Sequence, residues 1–492
     1  MTAPFWTNGM STLYHADARD IPLPDQSVHC AVMSPPYWSL RNYDLADGIG
    51  LEASLEEWVA NILAVMREVH RVLRDDGTLW LNLGDAYVGS GRGMNADDTH
   101  SDGPKQATNM GSLNLPIIRS KRVFRGHGSR RWGMGDAAVA GMEAKNLMFQ
   151  PHRVAMALQK PWLTCRECET THHETAFGHW PDGRTICPEC LGSHGVLVET
   201  PGWIVRQTNH WIKDNPMPES ARDRSTSAIE YIFHCSKTNR PLRWIHEDGR
   251  VSESTPDPDF VWERLRDGRR RETAPRGWSR KNSNGWNRVN RWQSVSYFYD
   301  EEAVREYCGD GWHGNKFAAR APERHPGENR RVPLYRQRPG RNLRNNWHIA
   351  TQGRKDKHHA SFPDRLPELC ILAGTSEKGV CSKCGNPWIR VVEHQSLRPN
   401  RQKPSHTPGG RTKTSSTGWS RQTVATETWR PTCDCGAKVV PATVLDPFVG
   451  RGTTCIVAQR LGRGSVGIDL NIEYLNLARC NLESTNMPLP LE

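Results

Sequence analysis

The order of apolar and polar positions separates patterned segments from long polar ones. Ser27 to Met33 is a short apolar run of strand length. From Ser54 to Leu73 the spacing becomes helical: Leu55, Trp58, Val59, Ile62, Met66, Val69 and Leu73 fall on one face, and Ser54 with Glu57 forms a capping box at its start. Gly77 to Leu83 predicts a second strand, Lys145 to Leu158 a helix, Trp203 to Trp211 and Ala228 to His234 two returning strands, and His359 to Ala373 a further helix. The chain closes on Val440 to Asp446, Thr453 to Leu461, Ser465 to Asp469 and Ile472 to Leu482, read as strand, helix, strand, helix. Strands alternating with helices predict an α/β fold with a mostly parallel sheet.

Between these segments lie polar ones. Residues 87–145, rich in Gly, Ser, Asn and Arg, predict a long loop or lid. The resulting division is 1–160, a first half of the folded body that includes this loop; 161–201, a Cys-paired insertion; 202–238, returning strands; 239–345, a basic insertion and linker; 346–380, a helical element; 381–436, a second Cys-paired module; and 437–492, a closing half.

Composition narrows the partners. The chain has 492 residues and a formal net charge of +11, which favours a polyanion, since each Lys or Arg contact to phosphate releases condensed counterions. No apolar run is long enough to span a bilayer, and residues 1–10 lack a signal-peptide pattern, so no membrane association and a cytoplasmic location are expected. Eight of the 14 cysteines fall in closely spaced pairs, which points to metal rather than to a disulfide framework. Cys30, Cys235, Cys308, Cys370, Cys455 and Cys480 are expected to be small core residues.

Two short segments carry candidate chemistry. Val444 to Thr454, VLDPFVGRGTT, sits between a predicted strand and a predicted helix. Gly450 and Gly452 allow a tight turn and close approach of a ligand, and the helix N-terminus offers unpaired N–H groups to a carboxylate. Asp469, ending the next strand, lies near the spacing at which an acid bonds ribose hydroxyls in nucleotide-binding folds. An ordinary strand–turn–helix would use the same glycines. The second segment is Ser34-Pro35-Pro36-Tyr37-Trp38, where two prolines end a strand. Ser34 and the Pro35 carbonyl can accept the N–H bonds of an exocyclic amine, and Tyr37 can stack on its ring. A loop whose aromatics pack locally would read the same way.

Taken together and in this order, SPPYW and DPFVGRGTT resemble the β class of amino-methyltransferases, in which the target motif precedes the cofactor motif. Leu13 to Val32, Gly77 to Asp85 and the His359-Ala360-Ser361-Phe362-Pro363 segment resemble further elements of that family in matching order. The resemblance implies a Rossmann-like methyltransferase fold with permuted motif order, carrying inserted zinc-ribbon-like and DNA-recognition segments. It implies that S-adenosylmethionine is bound by Asp446, Phe448, Gly450, Gly452 and Thr453, with Asp469 on the ribose, Asp17 near the adenine and Phe362 at the methionine end. It implies that Ser34, Pro35, Pro36 and Tyr37 form the catalytic site for a base flipped out of double-stranded DNA. Adenine-modifying members more often begin this motif with Asp or Asn, so Ser34 favours N4 of cytosine. N6 of adenine stays open as the alternative, as does an inactive zinc-containing DNA-binding protein. A restriction endonuclease of the same system is a further candidate partner.

Cys165-x-x-Cys168 with Cys187-x-x-Cys190 fits a four-thiolate zinc ribbon, and Cys381-x-x-Cys384 with Cys433-x-Cys435 forms a second candidate set; both predict structural Zn²⁺. His172, His173 and His179 are expected to be solvated rather than ligating. Arg264 to Arg291 is basic with Trp278, Trp286 and Trp292 interleaved, and 119–131 and 316–344 are further basic clusters. Phosphate contact, with Trp stacking on or wedging behind a base, is expected of the first; target choice is expected there and around 202–225, where Asp223 and Arg224 lie.

Overall fold

The computed structural model describes residues 3–38, 48–88, 142, 145–179, 185–191, 196–216, 222–264, 269–276, 278–279, 285–306, 341–352, 362–396 and 423–485. The expected long loop, the 119–131 cluster, most of the 316–344 cluster, Cys308 and the start of the 359–363 segment lie outside them.

In chain order the central elements are β1 (Trp6–Thr7), β2 (Ser11–His15), β3 (Val28–Met33), α1 (Leu55–Val72), β4 (Leu73–Leu83), α2 (Gln150–Leu158), β5 (Ile204–Ile212), β6 (Ile229–Ser236), β7 (Asn346–His348), α3 (Arg365–Gly374), β8 (Thr443–Asp446), α4 (Thr453–Arg460), β9 (Gly464–Asp469) and α5 (Ile472–Glu483). The strands form a nine-stranded sheet in the order β1-β2-β9-β8-β3-β4-β6-β5-β7. It is parallel from β2 through β4 and turns antiparallel at β6. This is the Rossmann-like α/β arrangement expected.

The helices cover both faces because alternate strand residues point to opposite sides. Leu79, Leu81 and Leu83 of β4 pack with the α1 stripe of Leu55, Trp58, Ile62, Met66 and Val69. Trp80, one residue out of phase, packs on the other face with Leu366, Leu369 and Cys370 of α3 and stacks on His234 at 4.1 Å. Leu13, Ile456 and Leu475 join β2, α4 and α5 in a third cluster.

Several boundaries differ from expectation for identifiable reasons. The capping box forms, with Glu57 N–H donating to Ser54 Oγ at 3.1 Å, but α1 ends at Val72 and Leu73 already opens β4. The turn-like Arg74-Asp75-Asp76-Gly77 is strand because its buried charge is paired: Asp76 accepts from Arg74 at 2.9 Å and is bonded also by Arg243. The helix expected from Lys145 begins only at Gln150, since Phe149 is left-handed and Asn146 to Met148 instead bond Ala86 and Val88. The helix expected from His359 begins at Arg365, past Pro363. The strand expected from Val440 breaks at Pro441: Val439–Val440 pairs with Val380–Cys381, and β8 starts at Thr443. Cys30, Cys235, Cys370 and Cys455 are buried as expected, whereas Cys480 is exposed on α5.

The described residues of 239–292 form two small antiparallel sheets. Arg243–His246 pairs with Val251–Ser252 and Trp292–Val295, and Phe260–Arg264 pairs with Arg270–Arg271 and Trp286–Asn290.

Helix α3 lies so close to the sheet that a Cβ on Gly374 would come within 2.6 Å of Thr78 Oγ1 and 2.8 Å of Cys30 Sγ. Gly374→Ala should therefore destabilise the protein by about 1–3 kcal/mol, the usual range for overpacking. A urea-unfolding midpoint equal to that of the unaltered chain would contradict this packing.

Candidate active site

The sheet order reverses between β8 and β3. From β8 the chain runs through α4 to β9 on one side; from β3 it runs through α1 to β4 on the other. The two strands pair in parallel, Val444 with Cys30 and Leu445 with Ala31, so Asp446 and Met33 end side by side. Open α/β sheets bind ligands outside the carboxyl ends of their strands at such a switch point. Both candidate segments emerge there, although more than four hundred positions separate them in the chain.

On the β8 side the turn is held from within. Asp446 is buried; its Oδ1 accepts from Phe448 N–H at 3.0 Å and its Oδ2 from the Thr454 hydroxyl at 2.6 Å. Burial outweighs both bonds and pushes the carboxyl up to about 7. Gly450 and Gly452 have φ of 50° and 91°, and a Cβ on Gly452 would stand 3.1 Å from Ala478 Cβ, so α4 and α5 meet over a glycine. Asp469 Oδ2 accepts from Gly450 N–H at 2.9 Å and Oδ1 from Asn471 N–H at 2.8 Å, while burial raises its carboxyl to about 6. Each oxygen retains a lone pair for a hydroxyl donor. The buried Thr453 Oγ1 has no hydrogen-bond partner among the described residues. Phe448 packs against the main core cluster. A glycine turn, an unpartnered hydroxyl at a helix start and an acid with spare acceptor capacity fit a ligand bearing both a carboxylate and a ribose.

Asp17 follows β2, whose end bonds the end of β9 through Ala16 N–H and Asp469 O at 3.3 Å. Asp17 is paired with Arg19 at 2.7 Å, and Arg19 holds its carboxyl low against the opposing effect of burial. Phe362 is buried in the apolar cluster shared by α3 and α4.

On the β3 side the loop is pinned by tryptophans: Trp58 Nε1 donates to the Pro36 carbonyl at 2.9 Å and Trp38 Nε1 to the Glu52 carbonyl at 3.0 Å. Pro36 is thus held by α1. The Tyr37 ring lies on Gly84, where a Cβ would come within 2.7 Å of it. Three residues not singled out from sequence complete the cluster. Tyr37 Oη donates to Glu230 Oε2 at 2.8 Å and lies 3.3 Å from Ser34 Oγ. Asn82 Nδ2 reaches Glu230 Oε2 at 2.8 Å, Tyr37 Oη at 3.1 Å and Ser34 Oγ at 3.4 Å. Lys213 Nζ donates to Glu230 Oε1 at 2.7 Å. The available signal was an acid inside the otherwise apolar and aromatic run Ala228 to His234.

Both cysteine sets converge. The Sγ atoms of Cys165, Cys168, Cys187 and Cys190 lie within 4.8 Å of one another, as do those of Cys381, Cys384, Cys433 and Cys435. In the first set Cys165–Cys190 and Cys168–Cys187 are 3.8 and 3.6 Å apart, near the edge of a tetrahedron with roughly 2.3 Å zinc–sulfur bonds. The donor sets therefore fit Zn²⁺. The second set is tied to the sheet: Arg74 Nη1 donates to the Cys384 carbonyl at 2.9 Å, and His29 Nε2 lies 3.2 Å from the Gly385 carbonyl. His173 is not solvated as expected; it is buried, with Nε2 3.2 Å from the Lys160 carbonyl and Nδ1 2.8 Å from Thr175 Oγ1. The His179 side chain lies outside what is described.

The basic insertion is less available than its composition suggested. Arg270 pairs with Glu247 at 2.7 Å and Glu263 at 3.0 Å, and Arg291 pairs with Glu247 and Glu272. Trp278 packs on Trp262 and donates to the Trp286 carbonyl at 3.2 Å, while Arg264 and Arg271 cover Trp286. Trp292 packs on His246. These rings brace the insertion. Asp223 pairs with Lys145 at 2.7 Å, and Arg224 covers the Tyr87 ring at 3.9 Å.

A family model described as "DNA methylase" matches residues 28–382 and 441–479. The chain is 24% identical over 488 residues to the Type II methyltransferase M.Cfr9I of Citrobacter freundii, covering 98% of this chain and 92% of that one. It is 24% identical over 465 residues to the Type II methyltransferase M.SmaI of Serratia marcescens, covering 94% and 87%. Among solved structures it is similar to PvuII DNA methyltransferase (cytosine-N4-specific), with a TM-score of 0.41 and 12% identity over 99% of this chain and 90% of that one.

The turn after β8 depends on a donor to a fully enclosed carboxyl. Thr454→Val keeps the shape and removes that donor, and should cost about 1–3 kcal/mol. Chemical denaturation with an unaltered midpoint would show that the bond does not hold the turn.

Proposed function

Because the chain belongs to the N6/N4 DNA methylase family, and so is an S-adenosylmethionine-dependent DNA methyltransferase, we propose that it methylates N4 of cytosine within a specific double-stranded sequence. The observation that carries this reading is the meeting of the Ser34–Tyr37 loop and the Asp446–Thr453 turn at one sheet edge. Ser34 at the start of the target motif favours cytosine over adenine.

In this reading the turn Phe448 to Thr453 and the N-terminus of α4 hold the amino-acid end of S-adenosylmethionine, and the spare lone pairs of Asp469 take the ribose hydroxyls. Asp17 lies toward the adenine and Phe362 toward the methionine end. The cofactor supplies a methyl group on a sulfonium that carries its own leaving group. The protein's share is to place the amine. Cytosine N4 is paired inside a duplex, so the base is flipped out, and Tyr37 offers its ring to it. Ser34 Oγ and the Pro35 carbonyl accept the two N–H bonds, drawing nitrogen toward tetrahedral geometry and freeing the lone pair that conjugation with the ring ties up. Placement of this kind can contribute roughly 7–11 kcal/mol. No cysteine nucleophile takes part. The Type II methyltransferases to which the chain is similar support a restriction–modification setting with a partner endonuclease. The paired arginines of the 264–292 insertion support a framing role for it, with DNA contact by its exposed remainder and by 202–225.

Nucleoside mass spectrometry of plasmid from cells expressing the chain should show N4-methylcytosine, and Ser34→Ala should lower single-turnover methylation about 100-fold or more with cofactor affinity kept. N6-methyladenine as the product would overturn the cytosine reading, and a fully active Ser34→Ala would overturn the site.

Zn²⁺ in both cysteine sets belongs to the same proposal, as structural ions. Elemental analysis should find one zinc per set, with Cys165→Ser and Cys381→Ser each losing one. Loss from the second set should lower the melting temperature more, because its turn bonds His29 and Arg74 of the sheet. Metal-free protein with unchanged melting would remove zinc from the account.

A further inference from the structure

An exocyclic amine presents hydrogens, so the group that receives it must accept. A serine hydroxyl both donates and accepts, and nothing in Ser34 itself decides which face it shows. The cluster beneath Ser34 decides it.

Glu230 lies at the active edge of β6, with its side chain 14% exposed. Lys213 Nζ forms an ion pair with its Oε1 at 2.7 Å from the end of β5. An ionised carboxylate accepts only. The single Tyr37 hydroxyl proton therefore points to Glu230 Oε2, 2.8 Å away. With that proton used, the 3.3 Å contact between Tyr37 Oη and Ser34 Oγ has one consistent polarity: Ser34 donates and Tyr37 accepts. Asn82 cannot reverse it, because its Nδ2 only donates, its two hydrogens serving among the three oxygens within reach. The Ser34 proton is thus drawn inward, and even with Asn82 Nδ2 on its oxygen at 3.4 Å one lone pair remains for an incoming amine.

We propose that Glu230, held by Lys213, is a positioning residue that sets the hydrogen-bond polarity of the Tyr37–Ser34 pair and so makes Ser34 an acceptor for the target amine. This rests on the reading of Ser34 as the group that receives the amine. Three strands converge on the device: Asn82 from β4, Lys213 from the end of β5 and Glu230 from β6. A glutamine at 230 would fit the same space but could donate to Tyr37 Oη. The chain of bonds could then run the other way, with the Ser34 hydroxyl pointing its proton at the amine.

The test is single-turnover methylation by the full chain, with cofactor and DNA dissociation constants measured in parallel. Glu230→Gln should lower the methyl-transfer rate about 100-fold, leaving both dissociation constants within about threefold. Glu230→Asp, which keeps the acceptor on a shorter arm, should recover part of the loss. Tyr37→Phe keeps the ring and removes the link. Adding Glu230→Gln to it should lower the rate little further, because the two changes break one chain. A Glu230→Gln rate within about threefold of the unaltered enzyme would overturn the proposal, as would full additivity with Tyr37→Phe or a loss of DNA affinity that accounts for the whole effect. The Ser34→Ala variant separates the two levels. If it is inactive while Glu230→Gln is active, only the role of Glu230 fails; if both are active, the reading of the site fails with it.

Discussion

The parallel pairing of β3 with β8, Val444 beside Cys30 and Leu445 beside Ala31, is the constraint on which the site depends. Neither strand is long, and each is buried on both faces. Together they set two loops from opposite ends of the chain at one edge, with crossovers leaving in opposite directions. The permuted order of the motifs has no effect on this result, because the sheet reads strand position and not chain order. His29 reinforces the junction, accepting from Thr443 N–H at 3.1 Å through Nδ1 while burial holds its ring down to about 4 and so neutral.

The polar groups around this junction fall into two kinds. Asp446, Asp76 and Trp58 Nε1 are enclosed and serve the framework: they shape the turn, extend β4 and pin the Pro36 carbonyl. Asp469, Thr453, Ser34 and Glu230 stand around the edge where β3, β8 and β9 end. Asp469 belongs to both kinds, since the carboxylate proposed to meet the ribose also holds Gly450 N–H. A substitution at Asp469 would therefore alter the geometry of the glycine turn together with the proposed ribose contact.

Much of this was legible in the sequence where local pattern and tertiary role agree. The α1 stripe, the two closing strands with their helices and both cysteine sets follow from spacing alone. Errors arose where tertiary pairing overrides local chemistry. Arg74 to Asp76 fall between the expected helix and strand, and become strand because Arg74 and Arg243 neutralise Asp76 within the sheet. Spacing alone also could not show that Arg270 and Arg291 have Glu247, Glu263 and Glu272 opposite them. Glu230 escaped notice for a related reason: a lone acid in a strand acquires meaning only beside Tyr37, Asn82 and Lys213, which come from three other segments.

The pairing of β3 with β8 implies that the turn after β8 and the loop after β3 serve one binding site. A crystal structure of the protein with a non-reactive S-adenosylmethionine analogue tests it most directly. The account predicts the analogue lying along Gly450 to Thr453 with its ribose on Asp469 and its reactive end toward Ser34. Analogue bound away from the carboxyl ends of β3 and β8, or facing away from Ser34, would contradict it.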